Sequence, residues 1–424
     1  MKVLIVGGGG REHALAWAMA KSPKLTRLYA APGNAGIAAC AECLEIGAED
    51  LDAICTAVED LGIEFVVVGP EAPLVAGLAD RIEAMGVPVF GPSAAAAEIE
   101  GSKGMMKDLL AKYGIPTADY ERFDEPDAAK EYIRVKNRPV VVKADGLAAG
   151  KGVILSHNVT EAYAAVDQIM IEEAFGDAGA EIVIEEFLRG EEASFFALCD
   201  GERAIPLAGA QDHKQVHDGD HGPNTGGMGA YTPAPVLDEA MEKRIMDEIV
   251  TPTVAAMKKE GKPYKGVLFA GLMIGEDGPK VIEFNCRFGD PECQPIMARL
   301  KSGALEMLLA AARGELDKIR LEWDPRTALT VVMAADGYPG SYRKGTEIKG
   351  LADADAMDDV IVFHAGTTSD GNGRTLANGG RVLGVTALGK TVEQAQKRAY
   401  QAVDAIDWPQ GFCRRDIGWR AVGR

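Results

Sequence analysis

Three short segments carry residue types suited to handling a nucleoside triphosphate. In Val140-Val-Val-Lys143-Ala-Asp-Gly-Leu-Ala-Ala-Gly150-Lys151-Gly-Val153 an apolar strand bears a lysine and runs into a glycine-dense loop with a second lysine. This is not a Walker loop, because three residues separate Gly146 from Gly150 and Gly152 follows Lys151 where a Ser or Thr would be needed. A glycine loop joining two strands can fold its amides over phosphates as a flap. Gly146, Gly150 and Gly152 would supply the backbone and Lys143 and Lys151 the positive charge; the bland alternative is a solvated hairpin. In Ile184-Glu185-Glu186-Phe187-Leu188 an apolar strand ends where backbone groups could read an adenine edge, and Glu191 or Glu192 could hold ribose hydroxyls. That signal is weak alone, since acidic runs are usually solvated faces. In Val281-Ile-Glu283-Phe-Asn285-Cys-Arg287, residues two apart on a strand share a face. The oxygens of Glu283 and Asn285 then converge as magnesium or manganese requires, and Arg287 could stabilise a transferring phosphoryl group.

Other segments suit small anionic or polar ligands. Gly7-Gly-Gly-Gly10 follows a strand, but Glu12 or His13 stands where a dinucleotide fingerprint has its third glycine, and no acidic residue ends Leu28-Tyr29-Ala30. A nicotinamide oxidoreductase is therefore disfavoured; a single phosphate held near Gly9, Gly10, Arg11 and Glu12 suits the geometry better. Asp212-His-Lys214 and Gly222-Pro-Asn224-Thr225-Gly226-Gly227-Met228-Gly229 read as one long polar loop without secondary structure, able to bind a small amino acid or sugar. His217 and His221 in it lack an evident carboxylate partner and read as surface residues. Cys40-Ala-Glu-Cys43 has zinc or redox spacing but no further ligands nearby, and the seven cysteines read as reduced.

The elements that must position these residues follow a strand, turn, helix rhythm at the start. Strands are expected at 2–6, 27–30, 65–68 and 87–90 and helices at 12–21, 51–61 and 75–85, giving a parallel, Rossmann-like sheet with ligands beyond the strand ends. A helical stretch over 93–120 leads to a two-layer lid with strands at 140–144, 153–156 and 181–186 and a helix near 160–174. Strands at 269–274 and 280–285 flank a hairpin turn, strands at 328–334 and 381–388 follow, and a helix spans 392–406. The expected fold class is α/β and α+β multidomain. Its units are 1–101, a central unit of 102–120 with 191–325, a lid of 121–190, and a mixed β/α unit of 326–424. A net charge of −19 over 424 residues argues against nucleic acid and anionic membranes as partners. No stretch approaches the roughly 20 apolar residues of a membrane helix, and a cytoplasmic protein is expected.

Taken in order, these motifs resemble the ATP-grasp superfamily and, within it, the phosphoribosylamine-glycine ligase family. The resemblance spans the chain through Val6 to His13, Ala31-Pro-Gly-Asn34, Gly69-Pro-Glu71, Ser102-Lys103, Lys143 to Gly152, Gln211 to Lys214, Gly222 to Gly229, Glu283-Phe-Asn285, Arg287 to Glu292 and Arg415-Asp-Ile-Gly418. It implies an ATP-grasp fold and ATP-driven joining of glycine to 5-phosphoribosylamine through glycyl phosphate. Lys103 and Lys143 resemble the family's phosphate lysines, 144–152 its flap, and Glu283 and Asn285 its metal ligands. The loop from Gly8 to Glu12 and Glu71 resemble the ribose-phosphate side. Asp212, Lys214, Asn224 to Gly229 and Asp290 resemble the glycine and acyl-phosphate region, with Arg287 at the phosphoryl site. Met105-Met106 after Lys103, and the two loop histidines, depart from the family pattern. A monomer or weak oligomer is expected. The rivals are a sister ATP-grasp enzyme of purine synthesis acting on bicarbonate or formate, and a non-catalytic nucleotide-binding regulator.

Overall fold

The computed structural model describes residues 1–147 and 152–424. At the N-terminus, parallel strands lie in the order Glu42–Cys43, Arg27–Pro32, Lys2–Gly7, Phe65–Val68, Val89–Phe90. Val3 to Val6 and Phe65 to Val68 are buried on both faces, so these strands are continuous apolar runs with no alternation. Lys2–Gly7 pairs with Arg27–Pro32 on one side and Phe65–Val68 on the other. The strand order therefore reverses there, opening a crevice beyond Gly7.

Two departures from the expected helices matter for that crevice. The first helix is Gly10–Met19, two residues longer at its start, because Gly9 is extended and its N–H donates to the Glu12 carboxylate at 2.6 Å. The single helix expected over 75–85 is two short ones, Glu71–Val75 and Leu78–Ala84, separated by Gly77 at φ +89. Glu71 thereby becomes the first residue of a helix whose start faces the crevice.

The lid sheet runs Tyr120–Phe123, Ile182–Glu186, Val140–Ala144, Val153–Ser156. Helices Pro126–Lys136 and Val159–Val166 pack on it through Ala129, Ile133, Ala162 and Val166. Tyr120–Phe123 and Pro126–Lys136 have no counterpart in the sequence reading, since Tyr-Glu-Arg-Phe is an edge strand with neither an apolar run nor a clean alternation.

The largest sheet is ordered Gly278–Asn285, Lys265–Gly275, Glu191–Asp200, Ala204–Asp212, Gly229–Thr232, Thr327–Ala335, Arg381–Gly389, Val360–His364. Thr327–Ala335 pairs antiparallel with Gly229–Thr232, so the boundary drawn at 325/326 crosses a continuous sheet. The segment expected as an unstructured loop holds a small hairpin of Gln215–His217 with His221–Asn224 before the strand Gly229–Thr232. His217 and His221 face each other across it and are exposed, as surface histidines would be.

A buried arginine straps this hairpin to the C-terminal segment. Arg414 reaches Asp416 with two nitrogens, each at 2.7 Å, and donates to Asp220 Oδ1 and the Gln215 carbonyl, each at 3.0 Å. Its side chain is fully buried while both aspartates keep some solvent. Replacing Arg414 by Met should cost about 2–3 kcal/mol, discounted from a fully buried pair for that hydration. A lowered urea midpoint for Arg414→Met, with the wild-type midpoint as reference, is the expected result.

Candidate functional site

A cavity of about 890 Å³ lies between the lid and the central sheet, and a second of about 450 Å³ lies beyond Gly7 to Gly9. Both are lined by Arg11, Pro70 and Asp290, so they meet there.

At the lid end, Lys143 is buried on Val140–Ala144 and ion-paired to Glu185 Oε1 at 2.7 Å; it also donates to the Ile282 carbonyl at 3.0 Å. Glu185 Oε2 meets a second buried lysine, Lys107 of helix Lys103–Tyr113, at 2.8 Å. The carboxylate expected among the nucleotide contacts is thus already engaged by two cations. Burial lowers Lys107 to about 8 in spite of Glu185. Glu186, Phe187 and Leu188 line the same cavity, as do Val141, Leu155 and Met273, which supplies an apolar slot suited to a base. Lys103 donates to the Gly146 carbonyl at 2.9 Å, at the start of the loop, and burial lowers its pKa. Gly152 lines the cavity, whereas Gly150 and Lys151 lie outside the described residues.

Glu283 and Asn285 project from Gly278–Asn285 into the large cavity. Burial opposes ionisation of Glu283, but Lys214, Lys143 and Lys103 outweigh it and hold the carboxyl below its usual range. Asn285 is buried and its side-chain nitrogen has no partner. An ionised carboxylate and a loosely satisfied amide, two residues apart, fit a hard divalent cation that keeps phosphate and water as its other ligands. No cluster of three or more His, Cys, Asp or Glu side chains suited to a metal occurs among the described residues. Just past the strand, Arg287 donates to Glu71 and Glu100, each at 3.0 Å. Burial works against its charge, yet these two carboxylates raise its pKa, so the guanidinium is a fixed cation lining the same cavity as Glu283 and Asn285.

Lys214 joins Glu192 at 2.9 Å, and Glu191 pairs with Arg424 at 2.8 Å, so both candidate ribose carboxylates hold ion pairs at the cavity wall. Asp212, Asn224, Thr225 and Gly226 also line it. Three substrate candidates line neither cavity. Met228 points into the C-terminal hydrophobic core, Gly227 packs against Pro291, and Gly10 packs against Gln294.

Glu12 lines the second cavity and also pins its glycine turn. Its carboxylate holds the Gly9 N–H and Arg11 Nε, and a Cβ at Gly69 would stand 2.1 Å from it. Gly9 and Arg11 remain on the wall, and Ala365, Gly366, Thr367 and Asn378 from the C-terminal unit complete it. Asn34 binds the Gly8 and His364 carbonyls, each at 2.9 Å, clipping the glycine turn to that unit. Asp290, between the cavities, accepts from the Arg11 N–H at 3.2 Å and from Gln294 at 3.0 Å; Arg381 stands 3.6 Å away. Sequence reasoning missed Lys107, Glu100, Glu292, Arg381 and Arg420. All but Lys107 and Glu100 line a cavity only through tertiary approach, and Lys107 and Glu100 sit on helices that show no charge motif; a buried lysine one helical turn after Lys103 was the only available signal.

Three family models tile the chain: phosphoribosylglycinamide synthetase N domain over residues 1–100, its ATP-grasp (A) domain over 101–293, and its C domain over 328–420. A phosphoribosylamine–glycine ligase of Brucella melitensis is 58% identical over 424 residues, covering 100% of this chain and 99% of the relative. One from Escherichia coli O157:H7 is 54% identical over 427 residues, with 100% and 99% covered. The crystal structure of the ligase of that name from Thermotoga maritima superposes with a TM-score of 0.86 at 34% identity, covering 98% of this chain and 100% of that one. The biotin carboxylase domain of Hydrogenobacter thermophilus 2-oxoglutarate carboxylase, solved with MgADP, ADP and bicarbonate, shares the fold at a TM-score of 0.73 and 16% identity, covering 97% of this chain and 91% of that one. The cavities described above are therefore those of a chain that belongs, along its whole length, to the phosphoribosylamine–glycine ligase family of ATP-grasp ligases.

Proposed function

We propose that this chain joins glycine to 5-phosphoribosylamine at the expense of ATP, through glycyl phosphate, giving glycinamide ribonucleotide, ADP and phosphate for purine synthesis. Beyond family membership, one observation carries the reading. A nucleotide-sized cavity with Lys143, Lys103 and the Glu283–Asn285–Arg287 row opens, at Arg11 and Asp290, onto a second cavity roofed by glycine amides. The triphosphate lies under the lid, and the phosphate of the second substrate lies beneath Gly8 and Gly9, with its amine directed toward the junction.

In this reading Lys143 and Lys103 hold phosphate oxygens and the apolar slot holds adenine. Glycine enters beside Lys214, which with Arg287 offsets the charge that builds as a carboxylate oxygen attacks the γ-phosphorus and its bond to the bridging oxygen breaks, releasing ADP. Glu283 and Asn285 hold magnesium or manganese, which supplies further neutralisation of the phosphates when bound. The amine then attacks the acyl carbon, the C–O bond to phosphate breaks, and phosphate leaves. Positioning and charge compensation account for this chemistry without a protein nucleophile. We read the enzyme as cytoplasmic and as a monomer or weak oligomer, because both cavities are built within one chain; among the described residues no helix is long and apolar enough to cross a membrane.

ADP release should require magnesium-ATP, glycine and phosphoribosylamine generated in situ together. Release sustained by bicarbonate or formate in place of glycine would instead identify a sister ligase. Glu283→Gln should lower turnover by about 100-fold or more, since the charged partner of the metal that neutralises the transferring group is lost. Its circular dichroism and unfolding midpoint should match wild type; wild-type turnover at saturating magnesium would remove Glu283 from the metal site.

A further inference from the structure

The mechanism above gives no task to Lys107, whose side chain is fully buried on the helix Lys103–Tyr113. It lines neither cavity, so it touches no ligand. Its Nζ reaches Glu185 Oε2 at 2.8 Å and donates to the Thr117 hydroxyl at 2.8 Å. Thr117 in turn donates to the Val281 carbonyl at 2.7 Å, one residue before the Ile282 carbonyl that Lys143 holds at 3.0 Å. Lys143 takes the other oxygen of the same carboxylate, Glu185 Oε1, at 2.7 Å. The two lysines thus flank one acid, and both lead to the strand that carries Glu283 and Asn285. A charged lysine is costly to bury, and packing alone would be served better there by an apolar side chain.

Charge balance shows what Lys107 changes. With both lysines the cluster carries one net positive charge, whereas without Lys107 the charge of Lys143 is cancelled by Glu185. Only Lys143 and Glu185 of the three line the cavity, so a phosphate there meets either a net cation or a neutral pair. We propose that Lys107 is a positioning residue for the nucleotide, which neutralises Glu185 from behind and so leaves the charge of Lys143 available to the phosphates. The proposal rests on the reading that the triphosphate lies under the lid.

The proton on Lys107 then takes part in nucleotide binding. Burial lowers its pKa to about 8, opposed by Glu185 from Ile182–Glu186 and assisted by Lys143 from Val140–Ala144. Among the described residues those two are the charged side chains that act on it; Thr117 is neutral, and Lys103 lies one turn earlier on the same helix. Below that pH Lys107 is charged and the cluster keeps its net charge; above it the charge is lost. Nucleotide affinity should therefore fall by up to about tenfold per pH unit on the alkaline side, until it reaches that of an enzyme lacking the Lys107 charge.

The test follows binding of a non-hydrolysable ATP analogue with magnesium by calorimetry, alongside steady-state KM values. Lys107→Met should raise the analogue's Kd at neutral pH by about tenfold or more, from loss of one charge close to the phosphates. Glycine and phosphoribosylamine KM values should stay within about twofold of wild type. Adding Glu185→Gln to Lys107→Met removes the acid that Lys107 offsets, so the Kd should return most of the way to wild type. Because the double variant buries no unpaired acid, it carries the comparison even where the single one folds poorly. The alkaline loss of affinity should vanish in both variants; Lys103, lowered by burial too, is present in all three proteins, so only the component removed with Lys107 is ascribed to it. A Kd for Lys107→Met within about threefold of wild type, or a parallel rise for all three substrates that Glu185→Gln does not reverse, would overturn the proposal. Wild-type nucleotide affinity in Lys143→Met would instead overturn the placement of the triphosphate beneath it.

Discussion

One carboxylate shared by two buried lysines links the lid of this molecule to its central unit. Glu185 belongs to the lid, as does Lys143, while Lys107 comes from the helix Lys103–Tyr113 of the central unit. Desolvating three charges is expensive, and such a group is stable only while every member keeps its partners. The arrangement leaves one net positive charge over the nucleotide cavity and sets the direction of Lys143, which also holds the Ile282 carbonyl beside Glu283. Lys143 and Glu283, from strands of two different sheets, are thereby brought to one cavity by a single polar cluster.

The same logic of committed charges organises the rest of the site. The chain as a whole carries −19, yet Lys103, Lys143, Lys214, Arg11 and Arg287 all face one cavity. Each is restrained by acids or carbonyls on its outer side, so the cationic face is preorganised for phosphates before any ligand arrives. Arg287 shows this most clearly: Glu71 comes from the N-terminal unit and Glu100 from the linking helix, and both grip it from behind.

Much of this was legible in the sequence because it depends on local pattern. The helix at Leu51–Leu61 and the strands at Phe65–Val68, Val140–Ala144 and Val153–Ser156 lie where periodicity and apolar runs place them. Glu283 and Asn285 share a face because strand spacing requires it. Other features depend on tertiary approach and left no local mark. Gly77 looks like any helical glycine until its positive φ splits the helix and delivers Glu71. Glu12 reads as a phosphate-side acid, but its contact with Gly69 and the Gly9 N–H turns it into a pin. Arg381 and Asn378 lie more than 80 residues from the loops they complete, a separation that no spacing rule reaches.

The pairing of Thr327–Ala335 with Gly229–Thr232 has a mechanical consequence. A sheet resists bending across its hydrogen bonds, so the wall formed by Gly366 and Thr367 is welded to the strand that follows the hairpin of Asn224 and Thr225. The lid sheet has no ladder to that larger sheet among the described strands. The hairpin side of the large cavity and the far wall of the second are therefore joined through one hydrogen-bonded sheet, whereas among the described residues the lid meets that sheet through isolated contacts such as Lys143 to the Ile282 carbonyl.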